Sequence, residues 1–126
     1  MNKAFVFCLL IVGLINFAPI AGTLGVKKLE KAYDVSIDNP DLSILMRHRA
    51  LLFGLLGGFI LVSILVPAYQ VPAMIMAAIS MVGFAVICHT EVGYNMAIGK
   101  VLIADYVGIL FLALAGLFKV FGANDR

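Results

Sequence analysis

Hydrophobic positions run along this chain in four long blocks, not in a periodic stripe. The blocks cover roughly Ala4–Leu24, Ala50–Ala68, Val71–Cys88 and Val101–Phe121, and nearly every charge falls in the first and third of the connections between them. Each block has about the 17–25 residues that an apolar helix needs to cross a hydrocarbon core about 30 Å thick. The pattern predicts an all-α fold, a four-helix transmembrane bundle. The first connection adds a fifth element. In Val26-Lys-Lys-Leu-Glu-Lys-Ala-Tyr33 the apolar Val26, Leu29 and Tyr33 share one helical face among lysines, as in a short amphipathic helix lying on a membrane surface. Asn39-Pro40-Asp41 then offers a capping side chain and a first-turn proline, so the second long helix is expected to start near Asp41, before the hydrocarbon. Pro67-Ala-Tyr-Gln-Val-Pro72 predicts a tight hairpin, and Gly93 and Asn95 break the chain before the fourth block.

Composition agrees. Hydrophobic residues make up 63% of the chain, against roughly half in a soluble domain. The 126 residues are read as a single integral membrane domain, residues 1–126, with no soluble catalytic module. The first block resembles a secretion signal in having Lys3 ahead of an apolar run. Yet Pro19 interrupts the small residues Ala18 and Ala21, and the uncharged run continues to Val26, longer than the 7–15 residues of a cleaved signal, so a retained helix is expected. Cys8 and Cys88 fall at opposite membrane faces, too far apart for a disulfide, which needs Cα atoms within about 7 Å.

Charge sets the polarity. Lys27, Lys28, Lys31, Arg47, Arg49 and Lys100 lie on one side of the predicted membrane, against Lys3, Lys119 and Arg126 on the other. The positive-inside rule makes the first side cytoplasmic and both termini external, in a bacterial inner membrane. Glu30, Asp34, Asp38, Asp41, Glu91 and Asp105 crowd the same end. The net charge of +2 leaves no nucleic-acid footprint.

Asp105 is the most informative position. Between it and Lys119 lie only Tyr106–Phe118, about 20 Å of helix, so the fourth helix must start near Val101 and draws Asp105 inside the hydrocarbon boundary. A mid-span Asp costs about 3 kcal/mol, less toward the edge, and normally faces a partner inside the bundle. Asp105, Gly108, Leu112 and Ala115 or Gly116 form one helical stripe; Arg47, Leu51, Gly54 and Gly58 form another, with GxxxG spacing; Gly13, Asn16, Ile20 and Thr23 form a third. An Arg47–Asp105 ion pair with Asn16 nearby is expected, either fixing helix register or forming a ligand site or proton path. Arg49 points about 200° from Arg47 and is expected to snorkel outward, joining Lys27, Lys28 and Lys31 in a basic collar on anionic lipid. His48, Cys88, His89 and Glu91 share this end, but their spacing gives only a weak case for a metal or a haem. Walker, GxSxG and HExxH motifs are absent.

The run Asn39-Pro-Asp-Leu, Leu45-Met-Arg-His-Arg-Ala-Leu-Leu-Phe-Gly-Leu-Leu-Gly58, Gly93-Tyr-Asn95 and Lys100-Val through Asp105-Tyr-Val-Gly108 resembles a group of short bacterial four-helix membrane proteins, loosely similar to DoxX-like bundles. Some of these carry the name phosphopantetheine adenylyltransferase. The nucleotidyltransferase HxGH motif is missing here, since His48 precedes Arg-Ala-Leu and His89 precedes Thr-Glu-Val. The resemblance implies a fold and no catalytic residue. The expectation is a non-enzymatic inner-membrane protein without a cofactor, whose charged end contacts membrane lipids, another membrane subunit or a second copy of itself. The alternative is a small transporter or quinone-linked redox subunit with a pocket around Arg47, His48 and Asp105.

Overall fold

The computed structural model describes residues 3–124. Arg126, counted above on the external side, lies outside the described residues. Helix α1 (Lys3–Phe17) continues into a 3₁₀ segment, Ala18–Leu24; α2 (Val26–Tyr33) is short; α3 (Pro40–Leu65), α4 (Gln70–Thr90) and α5 (Met96–Asn124) are long. Among the described residues four helical stretches are long and apolar enough to cross a membrane: Lys3–Leu24, Pro40–Leu65, Pro67–Thr90 and Met96–Gly122. They are the four blocks of the sequence, and the second and fourth extend further toward the charged end than their apolar parts.

Local chemistry sets the boundaries. Pro19 stands at the start of the 3₁₀ segment, where it removes an N–H from the α-helical ladder. Asn39 caps α3 as expected, its Oδ1 accepting from Leu42 N at 2.8 Å, with Pro40 in the first turn. Val66 is extended because Pro67 follows it, and a 3₁₀ turn, Pro67–Tyr69, leads directly into α4. Gly93 takes φ +83, a left-handed conformation that suits glycine, and turns the chain toward α5.

Helix α1 packs against α3 and α5, α4 packs against α5 and α3, and α2 lies across the charged end, touching the 3₁₀ segment, α3 and α5. The main core joins Leu9 and Val12 of α1, Ile60 of α3, Ala73, Ala77 and Met81 of α4, and Leu112 and Ala115 of α5. Outward faces are apolar as well: Val62, Leu65, Ile79, Val86, Ile87, Ile103, Leu110 and Val120 are exposed. Such a surface associates in water and is at home among lipid tails. A second cluster at the charged end buries Leu29, Tyr33, Ile37 and Ala50. The amphipathic face of α2 is therefore docked on the bundle, with Lys27, Lys28 and Lys31 exposed. Cys8 and Cys88 are buried free thiols in separate clusters.

Candidate functional site

The rotation of α3 decides what the charged end contains. Ala50, Gly54, Gly57 and Ile60 form its buried stripe. At Gly57 the partner is backbone, since a Cβ there would collide with N and Cα of Phe17; at Gly58 a Cβ would only reach Phe17 Cε2 at 4.0 Å. The close approach thus centres on Gly57, about 100° round the helix from the Gly58 that the GxxxG spacing suggested. Leu51, assigned to the buried face, is 40% exposed.

This rotation exchanges the roles expected of the two arginines. Arg47 is exposed, and its Nε donates to the Thr23 carbonyl at 3.0 Å, tying α3 to the end of the 3₁₀ segment. The expected Arg47–Asp105 pair is not formed. Arg49, expected in the lipid collar, instead turns into the seam between α3 and α4. Its Nη1 donates to Tyr33 Oη at 2.8 Å, and its guanidinium stands 5.2, 4.7 and 6.0 Å from the ring centres of Tyr33, Phe53 and Phe84. Three elements therefore hold one cation in an aromatic box, the geometry of cation–π attraction. Arg49 is also the cation whose field reaches Asp105. Asp105 is half-buried on α5 and makes no hydrogen bond among the described residues. Its neighbours Gly108, Leu112 and Ala115 are buried, so the stripe assigned to α5 does face the bundle.

Asn16 is buried away from both arginines. Its Nδ2 donates to Val12 O at 2.8 Å and points to Met81 Sδ at 3.8 Å. His48, His89 and Glu91 are exposed, and His89 Nε2 shares a hydrogen bond with Tyr106 Oη. Among the described residues no three His, Cys, Asp or Glu side chains stand together as a metal site.

Two polar contacts were not foreseen. Asn95 Nδ2 donates to the Tyr33 and Asp34 carbonyls, each at 2.8 Å, while its Oδ1 caps α5 by accepting from Ile98 N at 2.8 Å. One amide thus clamps the C-terminus of α2 to the N-terminus of α5, and Tyr33, the residue that binds Arg49, sits in the clamp. Its only sequence signal was the Gly93-Tyr-Asn95 breaker. At the opposite end Lys119 Nζ donates to the buried Gln70 Oε1 at 2.9 Å and lies 5.3 Å from the Phe5 ring centre. That lysine stands beside an apolar cavity of about 350 Å³ whose lining includes Val71, Met74, Leu112 and Gly116.

The charged end can therefore present a half-buried, aromatic-boxed guanidinium toward the α3–α4 seam, and three lysines toward the surface. In comparisons with known proteins, no family model, no curated protein and no solved structure matches the chain.

Proposed function

We propose that this is a non-enzymatic, multi-pass protein of a bacterial inner membrane, with its charged end cytoplasmic and α2 seated on anionic lipid headgroups. The observation that carries the reading is the docking of α2. Leu29 and Tyr33 are buried against the bundle while Lys27, Lys28 and Lys31 are exposed. The basic and acidic charges of this end are also segregated. Glu30, the acid within α2, accepts from Ile37 N at 3.1 Å, and the other nearby acids, Asp34, Asp38 and Asp41, follow in the connection and the first turn of α3. What faces outward along α2 is thus a lysine row. Each basic residue near an anionic surface contributes about 1 kcal/mol of attraction. The resemblance to short four-helix bacterial proteins agrees with the fold and adds no activity.

The test uses spin-labelled lipids around the purified protein in vesicles. Phosphatidylglycerol should be immobilised in preference to phosphatidylcholine, and the combined Lys27→Gln, Lys28→Gln, Lys31→Gln variant should lose the preference. Equal immobilisation of the two lipids by the unaltered protein would refute the reading. A cysteine at position 31, in a chain lacking Cys8 and Cys88, should react with impermeant maleimide only from the cytoplasmic side.

A further inference from the structure

The seam between α3 and α4 holds a groove with a polar mouth. A cavity of about 270 Å³ is lined by Arg49, Leu52, Phe53, Leu56 and Ser80. A second, of about 480 Å³, is lined by Leu52, Leu55, Leu56, Met76, Ile79 and Ser80. Leu52, Leu56 and Ser80 line both, so the two cavities adjoin, and among the described residues that line them Arg49 carries the charge. Its volume falls in the range of small-molecule sites.

The polar groups at the mouth have donors to spare. A guanidinium carries five N–H donors, and Arg49 spends one of its own on Tyr33 Oη. Asp105 makes no hydrogen bond to it. Ser80 Oγ makes no hydrogen bond among the described residues, whereas Ser63 and Thr90 each return their hydroxyl to the carbonyl three residues before. A charged donor and a neutral donor lining one cavity beside an apolar trough match an amphiphile with an anionic head. Depth agrees as well. Arg49 lies about 14 Å along α3 from Pro40 and about 24 Å from Leu65, which puts its Cα about 6 Å inside the charged-end boundary of a core of about 30 Å, a depth from which a long arginine side chain reaches the phosphate level.

We infer that this groove binds one anionic phospholipid, with its phosphate on Arg49, an ester carbonyl on Ser80 and an acyl chain along Leu55, Met76 and Ile79. The inference rests on the reading that this end meets an anionic leaflet, but it uses residues separate from the α2 lysines.

Native mass spectrometry of the whole protein, released from nanodiscs of phosphatidylglycerol, phosphatidylethanolamine and phosphatidylcholine in equal parts, tests it. The unaltered chain should keep one phosphatidylglycerol at collision energies that strip every other lipid. Arg49→Gln should lower that occupancy about tenfold, the scale of a lost charge-assisted hydrogen bond. Ile79→Trp fills the trough without touching the charge and should lower it comparably, so the result does not hang on how well an Arg49 variant folds. The triple lysine variant should keep the tightly held lipid and lose only the weakly held excess of phosphatidylglycerol. Equal retention of the three lipids overturns the inference, and so does unchanged retention by both Arg49→Gln and Ile79→Trp. Loss of the tight lipid in the lysine variant alone would also overturn it while leaving the surface reading intact. A tight lipid without the weak excess would do the reverse.

Discussion

Gly57→Ala should destabilise this protein more than Gly58→Ala, although the GxxxG spacing of Gly54 and Gly58 singles out the latter. A methyl group at position 57 meets N, Cα and Cβ of Phe17, and at position 58 it meets one ring atom at ordinary contact distance. Phe17 closes α1 just before the Pro19-led 3₁₀ segment, so the backbone struck by the methyl has little freedom to retreat. Overpacking of this kind costs about 1–3 kcal/mol. Relief of the helical glycine penalty returns roughly 0.5–1 kcal/mol at any of these sites. The net expectation is a loss of about 0.5–2 kcal/mol at Gly57 and a neutral or slightly favourable change at Gly58. Gly83→Ala, where nothing stands within 4 Å of the added atom, is the control for the helical gain alone.

The chain lacks tryptophan but carries two buried thiols, which supply the assay. A maleimide dye that fluoresces on reacting with Cys8 and Cys88 reports thermal unfolding in detergent. At roughly 4 °C for each kcal/mol in a chain of this size, Gly57→Ala should lower Tm by about 2–8 °C. Gly58→Ala and Gly83→Ala should match the unaltered protein or exceed it slightly. A larger fall for Gly58 than for Gly57 would refute this rotation of α3, and with it the placement of Arg49 in the α3–α4 seam.

The same dye assay checks three further expectations. In double-mutant cycles, Asp105→Asn should couple to Arg49→Gln and not to Arg47→Gln, since contacts are non-additive only where groups interact; coupling to Arg47 instead would restore the pairing read from the sequence. Asn95→Ala removes a cap and two interhelical hydrogen bonds at once, so a loss of about 2–3 kcal/mol is expected, with faster amide exchange at the C-terminus of α2; unchanged exchange there would mean that the clamp does not hold α2. Lys119→Leu strands the buried Gln70, which already has an unpartnered Nε2, and should destabilise by about 1–3 kcal/mol, while the Lys119→Leu, Gln70→Leu double variant should recover most of that. Failure of the double variant to recover would point to a role for Gln70 beyond the pair.

What could be read from the sequence followed the strength of each physical signal. Four runs of apolar residues at membrane length admit one fold class, and the N-cap of Asn39 ahead of Pro40 is local chemistry, so both appear in the structure where the sequence put them. The face of α2 was equally legible, because eight residues with Leu29 and Tyr33 among lysines have only one apolar side. Inside α3 the signal vanishes. Nearly every residue from Ala50 to Leu65 is apolar, and a helix hydrophobic all round does not reveal which side meets its neighbours. The glycine spacing was the remaining clue, and it offered two stripes. Three glycines, Gly54, Gly57 and Gly58, satisfy i, i+4 by one choice and i, i+3 by another. The choice between them is made on α1, by the backbone of Phe17 where the helix tightens ahead of Pro19, and sequence spacing on α3 carries no trace of it.

That choice propagates to the site. Arg47 and Arg49 flank the Ala50 stripe on opposite sides, so turning α3 toward Gly57 sends Arg47 to the Thr23 carbonyl and Arg49 to the aromatic box. A guanidinium snorkelling to lipid phosphates and a guanidinium held beneath them are equally compatible with an arginine near a membrane boundary. What separates them is the set of residues that arrive from elsewhere: Tyr33 from α2, held by Asn95 from the start of α5, and Phe84 from α4. The candidate site is thus assembled from four separate segments of the chain, none of which names it alone. The segment that contributes no atom to it, the end of α1, shapes it by packing on α3, most closely where the Phe17 backbone meets Gly57.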